Sequence, residues 1–412
     1  MISNAYQKPY NTLCERCFSN LQKPLGKWRR DFIKSVLWLF LSVPRKINCL
    51  QLARYSESGE QRYRQGFEKN FDFLSFNSAL VSEHCSSRRA LAFDPSYIPK
   101  SGKKTDGLGK YWSGCAGTAK WGLEICGIAA LDLDNHTALH LEAVQTILKK
   151  DENLLDFYAN VLIERKNDLQ KISKTVVADA YFSKQPFVDK MCEADFNVVS
   201  RLRDDVRINQ LIEKELTGKK GRPKTVGEKI DVKNLDKNYF TEIATENPKE
   251  KIFTAVVQAV ALKRKVRVVI MQTIEKEKIK DVKVYFSTDT EMSAKEILEI
   301  YRTRFQIEFL YRDAKQHTGL TDCQTRGRNK LHFHFNMSLT AVSAAKAIHW
   351  LSLEKEKRKA FSLADIKTMN HNALLLDLFF RTFALEPNLI KNNQNVKELL
   401  YFGTIDEKKL TN

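Results

Sequence analysis

The sequence predicts an α/β protein: a mixed-sheet core interrupted by a β-rich insertion, with an all-α N-terminal domain and a helical C-terminal region. Three observations carry that expectation. Residues 1–86 show apolar residues at helical spacing. From "RRALAF" onward, short apolar runs bounded by Asp/Asn turns alternate with amphipathic segments. Three β-branched runs then follow in series, "IFTAVVQAVAL", "VRVVIMQTI" and "VKVYFSTD", before helical patterning resumes. The expected divisions are 1–86 for the helical domain, 87–210 with 288–345 for the core, 211–287 for the insertion and 346–412 for the C-terminal region.

Each element follows from its residues. "IKSVLWLFLSVP" (Ile33–Pro44) is the most apolar run, but it has about eleven residues before its proline, short of the ~20 a membrane span needs, so a buried helix is expected. "KINCLQLARYS", a polar turn with Gly59, and the basic "EQRYRQGFEKNF" fit a helix-turn-helix DNA reader and an ordinary helical hairpin equally well. "ALAF" reads as a strand ending at Asp94. "AKWGLEICGIAALDL" and "HTALHLEAVQT" are two more strands across a "DLDN" turn. "NLLDFYANVLIERKNDLQKI" is an amphipathic helix, "TVVAD" a strand, "QPFVDKM" a helix and "FNVVSRLRDD" another strand. Three strands, helix, strand, helix, strand is the order of the ribonuclease-H-like fold. Ser293 and Glu296 form a capping box for the helix after the insertion, and Gly319 is its expected C-terminal cap.

Charge narrows the partners. Lys plus Arg number 68 against 50 Asp plus Glu, a net charge of +18, which favours a polyanion. The eight cysteines are scattered, as suits a reducing compartment. The Cys14/Cys17 pair has no second pair at zinc-finger spacing.

Two carboxylates stand where chemistry is expected. Asp94 ends the first strand and Asp179 the fourth, which are neighbours in the ribonuclease-H-like order. Facing carboxylates there repel unless a cation sits between them. The stretch "YRTRFQIEFLYRDAK" supplies a third. If it is one helix, Tyr301, Arg304, Glu308 and Lys315 fall within an arc of about 60°. Three hard oxygen donors suit Mg²⁺, and two such ions serve in-line displacement at phosphorus.

Tyr301, Arg304, Glu308 and Lys315 match the "YREK" signature, and the chain resembles the DDE transposases of bacterial insertion sequences, of the fourth insertion-sequence family and its relatives. "FDPSYIPKSGKK", "VVADAYFSK" and "FSTDTEMSAKEILEIYRTRFQIEFLYRDAKQHTGL" carry the same likeness, over roughly residues 85–345. The resemblance implies a DDE triad of Asp94, Asp179 and Glu308 holding two Mg²⁺ ions, with Mn²⁺ able to substitute. Tyr301, Arg304 and Lys315 become phosphate and DNA-end contacts. The implied reaction is metal-dependent endonuclease cleavage and strand transfer, cut-and-paste transposition. Water attacks one strand at the element's end and the freed 3′-OH attacks the other, which in well-studied members gives a hairpin.

The implied partners are double-stranded DNA (inverted-repeat ends and target) and a second copy in a homodimer, with no membrane; the implied location is the bacterial cytoplasm, at the nucleoid. A different function, a DNA-binding repressor or architectural relative without catalysis, has no reason to keep all three carboxylates. One departure is visible: relatives use a Trp of the insertion to hold a flipped base, and this chain has none between Trp121 and Trp350. Tyr239, Phe240 and Phe253 are the candidates to replace it, since stacking needs only a flat π face.

Further DNA contacts are expected from the residues themselves. Arg201 and Arg203 alternate across Leu202 at a strand end, and Lys100, Lys103 and Lys104 lie in a loop just past Asp94. "GKKGRPK" (Gly218–Lys224) resembles a minor-groove hook core or a basic loop that tracks phosphates. Asp132, Asp134, Asp204 and Asp205 read as turn or strand-end residues, and His332 and His334 as packing.

Overall fold

The computed structural model describes residues 2–204, 206–211, 227–385 and 393–405. The "GKKGRPK" motif and Asp205 lie outside the described residues. The chain divides into two compact units: Met1–Ser87 with Pro95–Ile147 and Gln306–Asn412, and Arg88–Asp94 with Leu148–Phe305.

The first unit begins with five helices: α1 (Ile2–Ser19), α2 (Lys27–Ser42), α3 (Cys49–Arg54), α4 (Glu60–Glu68) and α5 (Phe73–His84). The apolar run is the buried helix α2, with Phe32, Ile33, Val36, Leu37, Phe40 and Leu41 almost fully enclosed. A hairpin of β2 (Gly109–Ser113) and β3 (Thr118–Asp132) continues into β4 (Thr137–Gln145), all antiparallel. Asp132 holds the β3–β4 turn, its carboxylate accepting from Asn135 N and from Ser86 N and Oγ, as a turn former should. The helices α10 (Gln306–His317), α11 (Arg328–Lys346), α12 (Leu363–Thr382) and α13 (Gln394–Tyr401) complete the unit.

Helix α11 is buried on nearly every side, between α2, α4 and β4. Such a helix must satisfy its polar groups internally. Asn336 shows how: its Oδ1 accepts from Ala143 N (2.7 Å) and faces His140 Nε2 (3.0 Å), while its Nδ2 donates to Ala143 O (2.9 Å). His334, expected to pack, is buried with Nε2 2.7 Å from Gly319 O. The N-terminal helices therefore share one core with α11 and β4.

The second unit is built on a mixed sheet. Along it run β1 (Arg89–Pro99), β5 (Thr175–Val177), β6 (Asn197–Arg201), β11 (Lys278–Ser287), β10 (Arg264–Glu275), β9 (Glu250–Ala259) and β7 (Ile208–Asn209), with β8 (Thr241–Ile243) also on β9. The pairs β1–β5 and β5–β6 are parallel, and the rest antiparallel. The three expected β-branched runs are β9, β10 and β11, and β11 pairs with β6, so they extend the same sheet. Helices α6 (Leu154–Ile163), α7 (Lys166–Leu169), α8 (Gln185–Glu193) and α9 (Ala294–Thr303) accompany it.

Three local expectations are corrected. Asp94 does not end its strand: β1 runs on to Pro99, because Ser96 and Ile98 continue an alternating buried set after the apolar run stops. The helix expected over Asn153–Ile172 is two, α6 and α7, divided at Glu164–Arg165, where Arg165 leaves helical geometry (φ −110°, ψ 4°). Most consequentially, "YRTRFQIEFLYRDAK" is not one helix. It breaks at Arg304–Phe305 into α9 and α10. No Gly or Pro marks the break; Arg304 is 6% exposed and turned toward Asp94, a tertiary contact that local pattern does not encode. Ser293 does cap α9, accepting from Glu296 N at 3.2 Å, and Gly319 follows α10 at φ +70°, the left-handed geometry glycine tolerates best.

Candidate active site

In the second unit, Asp94 lies within β1, whereas Asp179, expected to end its strand, lies just past β5, which stops at Val177, and caps the 3-10 turn that follows. Leu91 pairs with Val176 and Ala92 with Val177, and each aspartate lies two residues further along its strand's direction. Both aspartates therefore follow the same end of the β1–β5 ladder. Asp179 is held from behind. Its Oδ1 accepts from Tyr181 N (2.9 Å) at the start of a single 3-10 turn, and its carbonyl accepts from Ser200 Oγ (2.8 Å). Phe93, Phe182 and Phe187 pack edge and face beneath this end of the sheet and fix the turn.

Arg304 brings positive charge to the pair. Its Nη1 lies 3.9 Å from Asp94 Oδ1, and its guanidinium covers the rings of Tyr301 (5.6 Å) and Phe305 (5.4 Å). Tyr301 lies against Tyr285, ring centroids 4.8 Å apart. Burial pushes the Tyr301 hydroxyl above its ordinary range, Arg304 and Arg201 pull it down, and Asp179 raises it further. Tyr301 is thus a neutral, half-buried phenol within electrostatic reach of Asp179, Arg201 and Arg304. Arg201 reaches this cluster because it faces Tyr285 across the β6–β11 ladder.

Beside Asp179 opens a basic cavity of about 430 Å³, lined by Ala180, Tyr181, Lys184, Arg201, Arg203 and Asp204. The Lys184 ammonium stands 3.9 Å from the centre of the exposed Tyr181 ring. Asp204 Oδ1 is 3.8 Å from Arg201 Nη2 at the surface. Lys184 and Tyr285 were not singled out by sequence reasoning. Lys184 was legible in principle as the last residue of "VVADAYFSK"; Tyr285 was not, because only the β6–β11 register places it.

The remaining expected residues belong to the first unit. Glu308 lies in the first turn of α10, half-buried, and Lys315 two turns on along the same face. Ile307, Leu310, Tyr311 and Ala314 form the buried stripe that sets this face. Lys315 Nζ donates to Ser96 Oγ (2.9 Å) and lies 5.9 Å from the Tyr311 ring centre. Lys100 donates to the carbonyls of Cys323 (2.6 Å) and Thr325 (2.8 Å), so its charge also ties down its loop. Lys103 is exposed. Of the insertion's candidate aromatics, Phe240 and Phe253 are buried, and Tyr239 is half-buried with its hydroxyl donating to Val256 O (2.7 Å). Among the described residues, no group of three or more His, Cys, Asp or Glu side chains is gathered tightly enough to hold a metal ion.

A family model described as the transposase DDE domain matches residues 133–343, just over half of the chain. The chain belongs to the DDE transposase domain family. The matched span contains Asp179, Tyr301, Arg304, Glu308 and Lys315 and begins after Asp94. No curated protein matches the chain. This DDE transposase domain is a transposase-type nuclease on a ribonuclease-H-like α/β fold, and its substrate class is DNA. Among the described residues, no helix is long and apolar enough to cross a membrane.

Proposed function

We propose that this protein is a cut-and-paste DNA transposase of the fourth insertion-sequence family type, acting on the inverted-repeat ends of its own element. The observation that supports the reading is that Asp94 and Asp179 each lie two residues beyond the last β1–β5 pair, with a basic cavity lined by the residues that follow Asp179. The Arg304 guanidinium stands 3.9 Å from Asp94, and the carboxylates of Asp94 and Asp179 also suit a cation. Their oxygens fit a hard divalent cation such as Mg²⁺ or Mn²⁺. Asp94, Asp179 and Glu308 would hold it, two ions in all. When bound, such ions activate the attacking oxygen and stabilise the leaving one at phosphorus.

The chain's own residues bind and orient the strand. Arg201, Arg203 and Lys184 line the cavity and neutralise backbone phosphates. Arg304 and Tyr301 hold the scissile phosphate from the other side of Asp94, the phenol donating a hydrogen bond because it remains protonated. Lys315, Lys100 and Lys103 add contacts to the DNA end. Hydrolysis places a water oxygen on phosphorus and releases a 3′-OH, and that hydroxyl then attacks a second phosphodiester without a covalent enzyme intermediate. Residues 1–86 recognise the repeat, and two copies of the chain hold the two ends.

The test is Mg²⁺-dependent cleavage of repeat-end DNA. Asp94→Asn, Asp179→Asn and Glu308→Gln should each cut at least about a hundredfold more slowly, the scale of losing metal-stabilised charge at phosphorus, while still binding the ends. Variants that cut like wild type would remove the site. Binding without cleavage by the wild-type chain would favour the repressor reading.

A further inference from the structure

The hairpin of β2 and β3 carries two tryptophans that the fold does not use. Trp112 is 65% exposed and Trp121 52% exposed. Folded chains rarely leave two indoles so open, since each has 150–250 Å² to bury. The register explains how they relate. Lys110 pairs with Trp121, and Trp112 with Ala119. All four therefore share one face of the hairpin, the two indoles on a diagonal with Ala119 and Lys110 at the other corners. Diagonal neighbours in an antiparallel pair stand roughly 7–8 Å apart. A planar ring in van der Waals contact on both faces needs about 7 Å.

The platform is anchored at its base and open at its tip. Tyr97 OH donates to Trp121 O (2.7 Å), and Tyr111 OH donates to Gly107 O (2.9 Å). The turn residues from Gly114 to Lys120 are all exposed. The charge around it has one sign: residues 101–123 contain four lysines (Lys103, Lys104, Lys110 and Lys120), all exposed, and a single acid, Asp106.

We infer that the β2–β3 hairpin is a binding site for unpaired nucleotides, with bases stacked on Trp112 and Trp121 and phosphates met by the hairpin's own Lys110 and Lys120. Paired bases have their faces covered by neighbours, so an open indole pair selects single strands. A second copy of the chain is a poorer fit. A stable protein interface takes about 800 Å² from each partner, and two half-exposed indoles offer far less, ringed by like charge. The inference rests on the DNA substrate proposed above but assigns a separate surface, distinct in sequence from the carboxylates and the basic cavity.

The experiment titrates a short oligo-dT and a matched duplex into the full chain and follows tryptophan fluorescence and anisotropy. Wild type should bind oligo-dT with quenching of the exposed indoles. Trp112→Ala and Trp121→Ala should each weaken oligo-dT binding on the order of tenfold, with duplex binding and repeat-end cleavage within about threefold of wild type. The double Trp→Phe variant should recover most of the loss, because Phe keeps a stacking face. Oligo-dT binding unchanged in the double alanine variant overturns the inference. So does a fall in oligomeric state by sedimentation in that variant, which would assign the face to a second copy. Failure of the transposase reading would appear separately, as wild-type chain that neither binds nor cuts repeat ends.

Discussion

The most demanding prediction concerns Gly127, on β3 in the first unit. A Cβ built there would stand 1.9 Å from the Tyr311 hydroxyl oxygen and 2.9 Å from Tyr311 Cζ. Ordinary contact begins near 3.4 Å, so in Gly127→Ala the Tyr311 ring must retreat by about 1.5 Å. Tyr311 is only 5% exposed and belongs to the buried stripe of α10, so the ring cannot leave without moving the helix. Overpacking of this kind costs about 1–3 kcal/mol, a fall in Tm of roughly 2–8 °C for a unit of this size. The same helix carries Glu308 and Lys315. A displacement near 1 Å at a reacting centre costs about a hundredfold in rate, so cleavage should fall much further than stability suggests. Tyr311→Phe removes the atom at 1.9 Å and leaves the one at 2.9 Å, which reduces the required shift to about 0.5 Å. The double variant should therefore be more stable and more active than Gly127→Ala alone, a positive coupling in a double-mutant cycle. Calorimetry and repeat-end cleavage measure both. A Gly127→Ala protein with wild-type Tm and cleavage, or a double variant no better than the single, would refute the packing argument.

Two further outcomes follow from named groups. Arg201→Gln with Arg203→Gln should weaken duplex binding and reduce the slope of log K against log[salt] by about two, one for each phosphate left without its guanidinium; an unchanged slope would take these residues off the DNA. His140 is buried with its ring 3.0 Å from Asn336 Oδ1, and burial pulls its pKa down to about 4 from an ordinary 6.5. Between those values the unfolded chain takes up a proton that the folded chain refuses. Stability is then full above about pH 6.5 and falls toward pH 4, by up to about 3 kcal/mol at 1.36 kcal/mol per unit. His140→Gln should flatten the dependence of the urea midpoint on pH by up to one proton; an unaltered profile would show that this imidazole does not couple to folding.

The strand and helix types were legible because burial imposes periods that residues display. Val and Ile runs became β9, β10 and β11, and the eleven-residue apolar run became the enclosed α2. Asp94 and Asp179 could be singled out because each follows an apolar strand in a recognisable order. That they follow the same end of one ladder comes from pairing β1 with β5, which joins segments more than eighty residues apart and leaves no local trace. The break at Arg304–Phe305 was invisible because the segment has helical propensity throughout and no Gly or Pro marks the point where α9 ends.

The sequence by itself determined the α/β class, the basic character that calls for a polyanion, and the residue types of the candidate site, since composition, period and motif spacing are local properties of the chain. Tertiary structure alone decided that Arg201 and Tyr285 meet Tyr301, that Lys100 is tied to the carbonyls of Cys323 and Thr325, and that Trp112 and Trp121 share one open face. Those facts depend on strand register and on burial, which are set by how distant segments pack and by which polar groups must find partners once water is excluded.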